Sequence, residues 1–311
     1  MGDIPVVFLM GPTGAGKTAA AFAVAARLPV EVISVDAAQI YRHLDIGTAK
    51  PSRAEQEAVP HRLIDIREVS ETYSAATFIE DARPLIDGCL RRGHIPLLVG
   101  GTSFYFHALE HGLPETPPAD PELRRELAGR AAQVGWAALH AELTKRDPEA
   151  GARIAPTDPQ RIQRALEIVL TKGHIPRRSA ATGLSHRLVK LAVTPADRAI
   201  LHRRLGERFG RMLAQGLLDE AAWLHGQGLD PEMPALRLVG YRQAGEYLRN
   251  KIQYNELVER GAAATRQLAK RQLTWLRADP HVCWFDGTRS DVGALCAESI
   301  ETAIAGRDAG H

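Results

Sequence analysis

The chain has 311 residues, of which 45% are hydrophobic and 24% are charged, and its formal net charge is only +2; this length suits two domains, or one large α/β domain with an insertion. No apolar run approaches the roughly 18 residues that span a bilayer, and the N-terminus lacks the basic start and cleavage site of a secretory signal, so we expect no membrane partner. Cys89, Cys283 and Cys296 form no C-x-x-C pair, which predicts reduced thiols, no zinc finger and a cytoplasmic location.

The chain opens with an apolar strand over residues 4–10, a glycine-rich loop over 11–18 and an alanine-rich helix over 19–28. The loop fits the phosphate-binding pattern G-x-x-x-x-G-K-[ST] in the strand–loop–helix context that this pattern requires. Backbone N–H groups of such a loop and the positive end of its helix point at phosphate oxygens. Lys17 adds a full charge, and the Thr18 hydroxyl is placed to ligate Mg²⁺. The predicted phosphate-binding residues are Gly11, Pro12, Thr13, Gly14, Ala15, Gly16, Lys17 and Thr18.

The chain then alternates between strand and helix patterns up to residue 113. In order, we predict a strand over 30–35, a short strand over 61–66, a helix over 74–92 with a kink near Pro84, and a buried strand over 95–99. Strands separated by helices predict a parallel, doubly wound sheet of the P-loop α/β class. Ligands of such sheets bind at the carboxyl ends of the strands. The phosphate loop, Asp36 and Thr102 are therefore expected to converge on one crevice.

Asp36 and Thr102 are the candidate catalytic residues. Asp36 follows the second predicted strand, and it could act as a general base, ligate Mg²⁺ through water, or only cap a turn. The strand over 95–99 is followed by Gly100-Gly101-Thr102, whereas a usual Walker B strand ends in aspartate. This difference argues against a standard ATPase. Asp65, at the end of the short strand, is the other acid that could serve.

After a linker-like stretch at 114–120 the pattern becomes purely helical. We predict helices over 121–133, 136–146 and 159–172, the first and third with an aspartate N-cap followed by proline. We interpret 114–190 as a helical insertion domain, which divides a core made of residues 1–113 and 191–311. The third helix places Gln160, Gln163 and Arg164 on one face, and these side chains suit a nucleic-acid surface.

The last third of the chain is predicted to be mostly helical. We expect a strand over 188–193, a long helix through 224, a helix over 254–277 and a last strand over 282–285. On the long helix Arg204, Arg208 and Arg211 share a face, and they could contact a phosphate from opposite the loop or pair with local acids such as Glu207. Residues 237–277 contain nine basic and three acidic residues, and 114–190 contain thirteen and nine. Two basic segments in a nearly neutral chain indicate a polyanionic partner.

Five motifs, in this order along nearly the whole chain, resemble those of the bacterial tRNA dimethylallyltransferases. They are Gly11 to Thr18, Asp36-Ala37-Ala38-Gln39-Ile40-Tyr41, Gly100-Gly101-Thr102-Ser103-Phe104-Tyr105, Gly240-Tyr241-Arg242-Gln243 and Ala269-Lys270-Arg271-Gln272-Leu273-Thr274-Trp275. The chain departs mildly from the family, which often has Asp-Ser where this sequence has Asp36-Ala37.

The resemblance implies that a dimethylallyl group moves from dimethylallyl diphosphate to N6 of the adenine immediately 3′ of the tRNA anticodon. Diphosphate is released, so the loop would hold this leaving group rather than the phosphates of ATP, with Mg²⁺ as cofactor. Asp36 would be the base and Thr102 the second catalytic residue. Separately from the resemblance, the position of Arg208 on the long helix makes it a candidate ligand of diphosphate. The implied contacts with the tRNA anticodon stem-loop are Asp36, Ala37, Ala38, Gln39, Thr102, Arg124, Gln160, Arg161, Ile162, Gln163, Arg164, Arg237, Leu238, Val239, Gly240, Tyr241 and Arg242. We expect a monomer.

Two other functions fit parts of the sequence. A P-loop small-molecule kinase would share the loop and the sheet, but such kinases are usually shorter and do not need two basic helical segments. A non-catalytic RNA-binding protein would share the basic segments, but it would not need the intact set of Lys17, Thr18, Asp36 and Thr102.

Overall fold

The computed structural model describes residues 4–176 and 183–306. Within these residues six strands form one sheet, and the strand order is β3-β2-β4-β1-β5-β6. The strands are β1 (Val6–Met10), β2 (Val30–Val35), β3 (His61–Arg62), β4 (Ile95–Gly100), β5 (Leu188–Thr194) and β6 (Cys283–Asp286). Each neighbouring pair is parallel. The predicted parallel, doubly wound sheet is thereby confirmed.

The strands alternate with helices along the chain. The helices are α1 (Lys17–Ala25), α2 (Arg53–Ala58), α3 (Ala75–Arg91), α4 (Ser103–His111), α5 (Pro121–Val134), α6 (Trp136–Arg146), α7 (Pro148–Arg153), α8 (Pro159–Lys172), α9 (Arg198–Ala214), α10 (Leu217–His225), α11 (Tyr241–Leu248), α12 (Tyr254–Arg277) and α13 (Val292–Ile304), with a 3₁₀ helix at Pro234–Arg237. In the part of the chain that the structure describes, no helix has the length and apolar character needed to cross a bilayer.

Strand β1 is buried along its whole length, as expected for a parallel sheet that is covered on both faces. Val7 and Leu9 belong to an apolar cluster with residues of α1 and α13. Phe8 points to the other face, where its ring centroid lies 4.9 Å from that of Phe106 in α4. The residues at the carboxyl ends of the strands are therefore attached to a packed framework.

The described residues form two compact units. One unit contains the residues up to Glu110 and those from Leu184 onward, and the other contains His111 to Gly183. Helices α5 to α8 of the second unit pack around Leu127, Leu143 and Leu166. The expected insertion, 114–190, reaches too far at its end, because β5 begins at Leu188 and pairs there with Val6 of β1.

Two elements differ from the sequence-based expectation. The long helix predicted to continue through 224 is interrupted between α9 and α10, because Gly216 adopts a left-handed conformation with φ 105°. The strand predicted over 61–66 contains only His61–Arg62. Leu63 and Asp65 have φ values of 63° and 55°, which end the extended conformation.

Candidate active site

The phosphate loop connects the carboxyl end of β1 to the amino end of α1. Gly14 and Gly16 have φ values of 73° and 101°, a region that glycine occupies without steric cost. A Cβ atom at Gly14 would also lie 2.9 Å from Cδ2 of Leu205. The glycines therefore allow the backbone to curl beneath helix α9 and to turn its N–H groups toward one point.

Lys17 lies within a cavity of about 640 Å³ that the loop forms with Asp36 and helix α9. Its Nζ donates a hydrogen bond to the backbone oxygen of Pro12 at 2.9 Å. Desolvation in the cavity lowers the pKa of Lys17 to about 8, although Asp36 opposes this shift, and Arg208 lowers the pKa further. A lysine with this pKa gains stabilisation when an anion enters the cavity.

The lowered pKa of Lys17 predicts that binding of inorganic diphosphate depends on pH. A bound anion raises the pKa of the ammonium group, so above the ligand-free pKa of about 8 binding must take up a proton. Below this pH Lys17 is already charged, so its protonation should add no pH dependence to the apparent affinity. Above this pH the apparent affinity should fall as the pH rises. Titration calorimetry across this range measures the change.

The matched control for this titration is Lys17→Arg, because a guanidinium stays charged throughout the same range. The pH dependence of diphosphate binding to this variant therefore reports only the protonation of diphosphate itself. An equal decline of affinity in both proteins would assign the pH dependence to the ligand and contradict the role of Lys17.

Three arginines of α9 (Arg204, Arg208 and Arg211) line the same cavity. Arg204 donates a hydrogen bond to the backbone oxygen of Gly287 at 3.0 Å. Arg208 makes no hydrogen bond or ion pair with any other described residue. Desolvation lowers its pKa, Asp36 opposes this shift, and Arg211 adds to it. Lys17 and Arg208 thus give this cavity a positively charged region. The Asp36 carboxylate acts on the pKa values of both groups, while the exposed Glu55 and Glu207 also line the cavity.

Asp36 begins a tight turn directly after β2. Its Oδ1 accepts hydrogen bonds from the backbone N–H groups of Ala38 at 2.9 Å and Gln39 at 3.4 Å. Oδ2 has no hydrogen-bond partner among residues 4–176 and 183–306, so it can accept a proton from a ligand. The hydroxyl oxygen of Thr102 accepts a hydrogen bond from the N–H group of Ala37 at 3.0 Å. This hydrogen bond therefore links Thr102, after the end of β4, to the turn that Asp36 begins after β2.

Gln272 of α12 is a site residue that the sequence analysis did not assign to the site. Its Oε1 accepts a hydrogen bond from the N–H group of Thr13 at 3.0 Å, and its Nε2 donates one to the backbone oxygen of Gly101 at 2.8 Å. A Cβ atom at Gly101 would lie 2.4 Å from this Nε2. The amide thus ties the phosphate loop to the end of β4. Its place in the Lys270-Arg271-Gln272 motif was the only available sequence signal.

A second cavity, of about 260 Å³, lies beside the first. Its walls include Asp36, Thr102 and the apolar side chains of Phe209, Met212 and Leu238. Five residues line both cavities: Thr13, Asp36, Thr48, Arg208 and Gln272. The Asp36 carboxylate therefore stands between a cationic cavity, which suits an anion, and a more apolar cavity, which suits a flat uncharged group.

Many of the predicted RNA-contacting residues lie around the second cavity. These are Asp36, Ala37, Ala38, Thr102, Arg237, Leu238, Val239, Gly240 and Tyr241. Gln39 lines the first cavity instead, and its Oε1 accepts a hydrogen bond from the Ser34 hydroxyl at 3.2 Å. Arg242 is exposed and lines neither cavity.

The Tyr241 side chain is buried, and its hydroxyl donates a hydrogen bond to the Glu220 carboxylate. The same carboxylate accepts hydrogen bonds from the N–H groups of Asp45, Ile46 and Gly47 at 2.8–3.0 Å. Tyr241 and Glu220 therefore hold the chain segment that leads to Thr48, in the wall of both cavities.

In the second unit, the predicted RNA-contacting residues separate into buried and exposed groups. Arg164 and Arg124 donate hydrogen bonds to the buried Glu167 carboxylate at 2.7 Å and 3.2 Å. Burial would raise the pKa of Glu167, but these hydrogen bonds and that of the Asp120 N–H group lower it below the usual value. Gln163 donates a hydrogen bond to the backbone oxygen of Arg124 at 2.9 Å.

Ile162, Gln160 and Arg161 complete this set. The Ile162 side chain is fully buried, so it does not present a surface to RNA. Gln160 and Arg161 are exposed. Among the described residues, the Arg161 side chain forms a polar contact only with Asp158, in an ion pair of 3.4 Å one turn away. Arg161 is therefore the arginine of α8 that is available to a phosphate, whereas Arg164 stabilises the unit.

This difference predicts that the two alanine variants change different properties, RNA binding in one and thermal stability in the other. Arg161→Ala should weaken tRNA binding, should reduce the dependence of log K on log salt by about one unit, and should leave the melting temperature unchanged. Arg164→Ala should lower the melting temperature, because it removes a donor from a buried carboxylate. Filter binding across a salt series and calorimetric melting measure both effects. An unchanged salt dependence in Arg161→Ala would exclude this side chain from the interface.

Comparisons with known proteins find similar proteins over nearly the whole chain. The chain matches the IPP transferase family model over residues 39–279. It is 49% identical to the tRNA dimethylallyltransferase of Paraburkholderia phymatum, with 97% of this chain and 98% of that protein covered. It is 53% identical to the enzyme of the same name from Thiobacillus denitrificans, with 96% and 98% covered.

Solved structures give the same result. A tRNA isopentenylpyrophosphate transferase from Bacillus halodurans is similar with a TM-score of 0.71 and 36% identity, covering 97% of this chain and 98% of that one. A eukaryotic dimethylallyltransferase described as acting on tRNA is similar with a TM-score of 0.80 and 26% identity, covering 97% of this chain and 80% of that one.

Proposed function

The chain belongs to the IPP transferase family, and its relatives are tRNA dimethylallyltransferases; we propose that the two adjoining cavities form the site at which a dimethylallyl group is transferred to tRNA. The chain is thus a prenyltransferase that acts on tRNA, and the relatives do not support the alternative of a small-molecule kinase. In the proposed reaction, dimethylallyl diphosphate donates its prenyl group to N6 of the adenine immediately 3′ of the anticodon. One observation carries the proposal: Asp36 lines both the cationic and the apolar cavity.

The first cavity is proposed to bind the diphosphate of the donor. When the allylic C–O bond breaks, its electron pair moves to the diphosphate, and negative charge grows there. Lys17, Arg208 and the N–H groups of the loop provide positive charge at that position, and fixed charges of this kind stabilise the transition state. The location of Lys17 and Arg208 in one cavity supports this assignment.

The second cavity is proposed to hold the target adenine after it leaves the base stack. The N6 lone pair forms the new C–N bond to the allylic carbon, and N6 then becomes acidic. The free Oδ2 of Asp36 accepts the N6 proton. Thr102 accepts a hydrogen bond from Ala37, so it positions the turn that carries Asp36, and its hydroxyl borders the proposed path of the base.

Mg²⁺ is the proposed cofactor. The Thr18 hydroxyl lines the same cavity as the loop, and a hard oxygen ligand of this kind suits Mg²⁺. Within the described ranges, no group of three or more His, Cys, Asp or Glu residues could hold a metal. Most ligands would therefore be diphosphate and water oxygens, which is how Mg²⁺ commonly binds with phosphate substrates. Bound there, Mg²⁺ would neutralise charge on the leaving group.

The experiment that tests the proposal is incubation of the full chain with undermodified tRNA, Mg²⁺ and dimethylallyl diphosphate, followed by nucleoside mass spectrometry. We expect one adenosine to gain the mass of a dimethylallyl group in place of hydrogen, with one diphosphate released for each. Stoichiometric consumption of ATP, or no mass change with any tRNA, would contradict the proposal. We also propose that the enzyme is a monomer, which light scattering measures, and that it acts in the cytoplasm, where tRNA is found.

A further inference from the structure

One row of side chains on α12 leads from the second cavity to the surface. Leu268 and Gln272 line that cavity, and Trp275 follows them along the same helix face at a spacing of four and three residues. The Trp275 side chain is 38% exposed. The face that forms the wall of the cavity therefore continues outward to an exposed aromatic ring.

A second element brings more aromatic rings to the same place. Phe104, in the first turn of α4 and two residues after Thr102, is 45% exposed. The ring centroid of Trp275 lies 6.2 Å from that of Phe104 and 5.3 Å from that of His107. We call these three residues, Phe104, His107 and Trp275, the aromatic face. An exposed tryptophan beside an exposed phenylalanine forms an apolar patch on the surface. Apolar patches of this kind commonly mark interaction sites.

The charges around the aromatic face identify the chemistry of its partner. The last twelve residues of α12, 266–277, contain four basic residues and no acidic one. Three of these, Lys270, Arg271 and Arg277, are exposed, and none of the four forms an ion pair with any described residue. Aromatic rings interleaved with unpaired cations suit a single-stranded nucleic acid, whose bases stack on the rings and whose phosphates contact the cations.

We infer that the aromatic face is a stacking platform for an unpaired base of the anticodon loop next to the target adenine. This inference rests on the proposed function and extends it to a base that does not react. When one nucleotide leaves the stack, its neighbours lose a stacking partner. Trp275 would replace that partner at the edge of the cavity, which lowers the cost of extruding the target base. Lys270 and Arg271 would contact the adjacent phosphates.

The test compares Trp275→Ala and Trp275→Phe in steady-state kinetics with an anticodon stem-loop RNA. We expect Trp275→Ala to raise KM for this RNA about tenfold and to leave its salt dependence unchanged, because stacking releases no counterions. The phenylalanine variant should recover most of the loss, because it retains a ring. Lys270→Ala, in contrast, should reduce the salt dependence.

Trp223→Ala is the matched control. Trp223 is also 38% exposed, and its ring also contacts a histidine, His43, at 5.1 Å, but it lies on α10 and lines neither cavity. This variant should bind RNA as the unchanged protein does. Melting temperatures of all variants separate loss of binding from loss of folding.

Four outcomes would overturn the inference. They are a KM in Trp275→Ala within about twofold of the unchanged protein, a loss that Trp275→Phe does not recover, a loss that Trp223→Ala shares, and a change of molecular mass in Trp275→Ala that reveals an interface between two copies of the chain. Failure of the unchanged protein to prenylate any tRNA would instead contradict the proposed function. The two failures are therefore distinguishable.

Discussion

Replacing Asp36 with asparagine is expected to lower kcat about 10²- to 10⁴-fold, the usual contribution of a general base. Asparagine retains an Oδ1 that can accept the hydrogen bonds of Ala38 and Gln39, so the turn should stay intact. What it loses is the carboxylate oxygen that accepts the N6 proton. Single-turnover kinetics with tRNA and dimethylallyl diphosphate measures the effect, and filter binding should show that affinity for tRNA is retained.

The control for this variant is Asp65→Asn. Asp65 is the other acid near a strand end, but it forms an ion pair with the buried ammonium of Lys50 at 2.6 Å and lines neither cavity. Its replacement should leave kcat within a few-fold of the unchanged enzyme and should act mainly on stability. If Asp36→Asn turned over normally, or if Asp65→Asn lost as much, Asp36 would not be the base.

Replacing Lys17 with methionine should lower kcat about 10²- to 10³-fold, the range observed when one donor to a developing anion is removed. Methionine has a similar length and no charge, so the loop loses the ammonium but little packing. The stabilisation of the departing diphosphate should fall more than that of the intact donor, because the charge on the leaving group grows as the C–O bond breaks. Quenched-flow measurement of the prenyl transfer step tests this expectation.

Arg211→Met is the matched control for charge alone. Arg211 also lines the first cavity, but it is exposed, and water screens the charge of an exposed group. We expect a loss of less than about tenfold. Equal losses in the Lys17 and Arg211 variants would indicate a general field effect rather than a specific contact with the leaving group.

Local patterns predicted the elements whose structure depends on neighbouring residues. The glycines of the phosphate loop, the strand before it and the helix after it are close in the sequence, and α12 begins and ends at the predicted residues. The position of β4 between β2 and β1 depends on long-range pairing, and no short pattern encodes it. The hydrogen bond between Gln272 and Thr13 spans 259 positions. Both residues belong to motifs that the sequence analysis identified, but no local pattern predicts a hydrogen bond between them.

Two predicted RNA-contacting residues have structural roles that their residue types alone did not show. Tyr241 and Arg164 belong to motifs that suggest RNA contact, because they combine aromatic, amide and basic groups. In the structure, each contacts a carboxylate, Tyr241 that of Glu220 and Arg164 that of Glu167, and contact with RNA stays a prediction for both. Helical spacing in a sequence predicts which face of the helix carries a side chain. It does not predict which acidic residue of another element contacts that side chain.

The wall shared by the two cavities has a consequence for inhibitor design. Because Asp36, Arg208 and three further residues border both spaces, a single molecule with a diphosphate mimic at one end and a purine at the other would reach across them. Its second end would bind at a high effective concentration once the first end is in place. Such a bisubstrate compound would combine two modest affinities into a strong one.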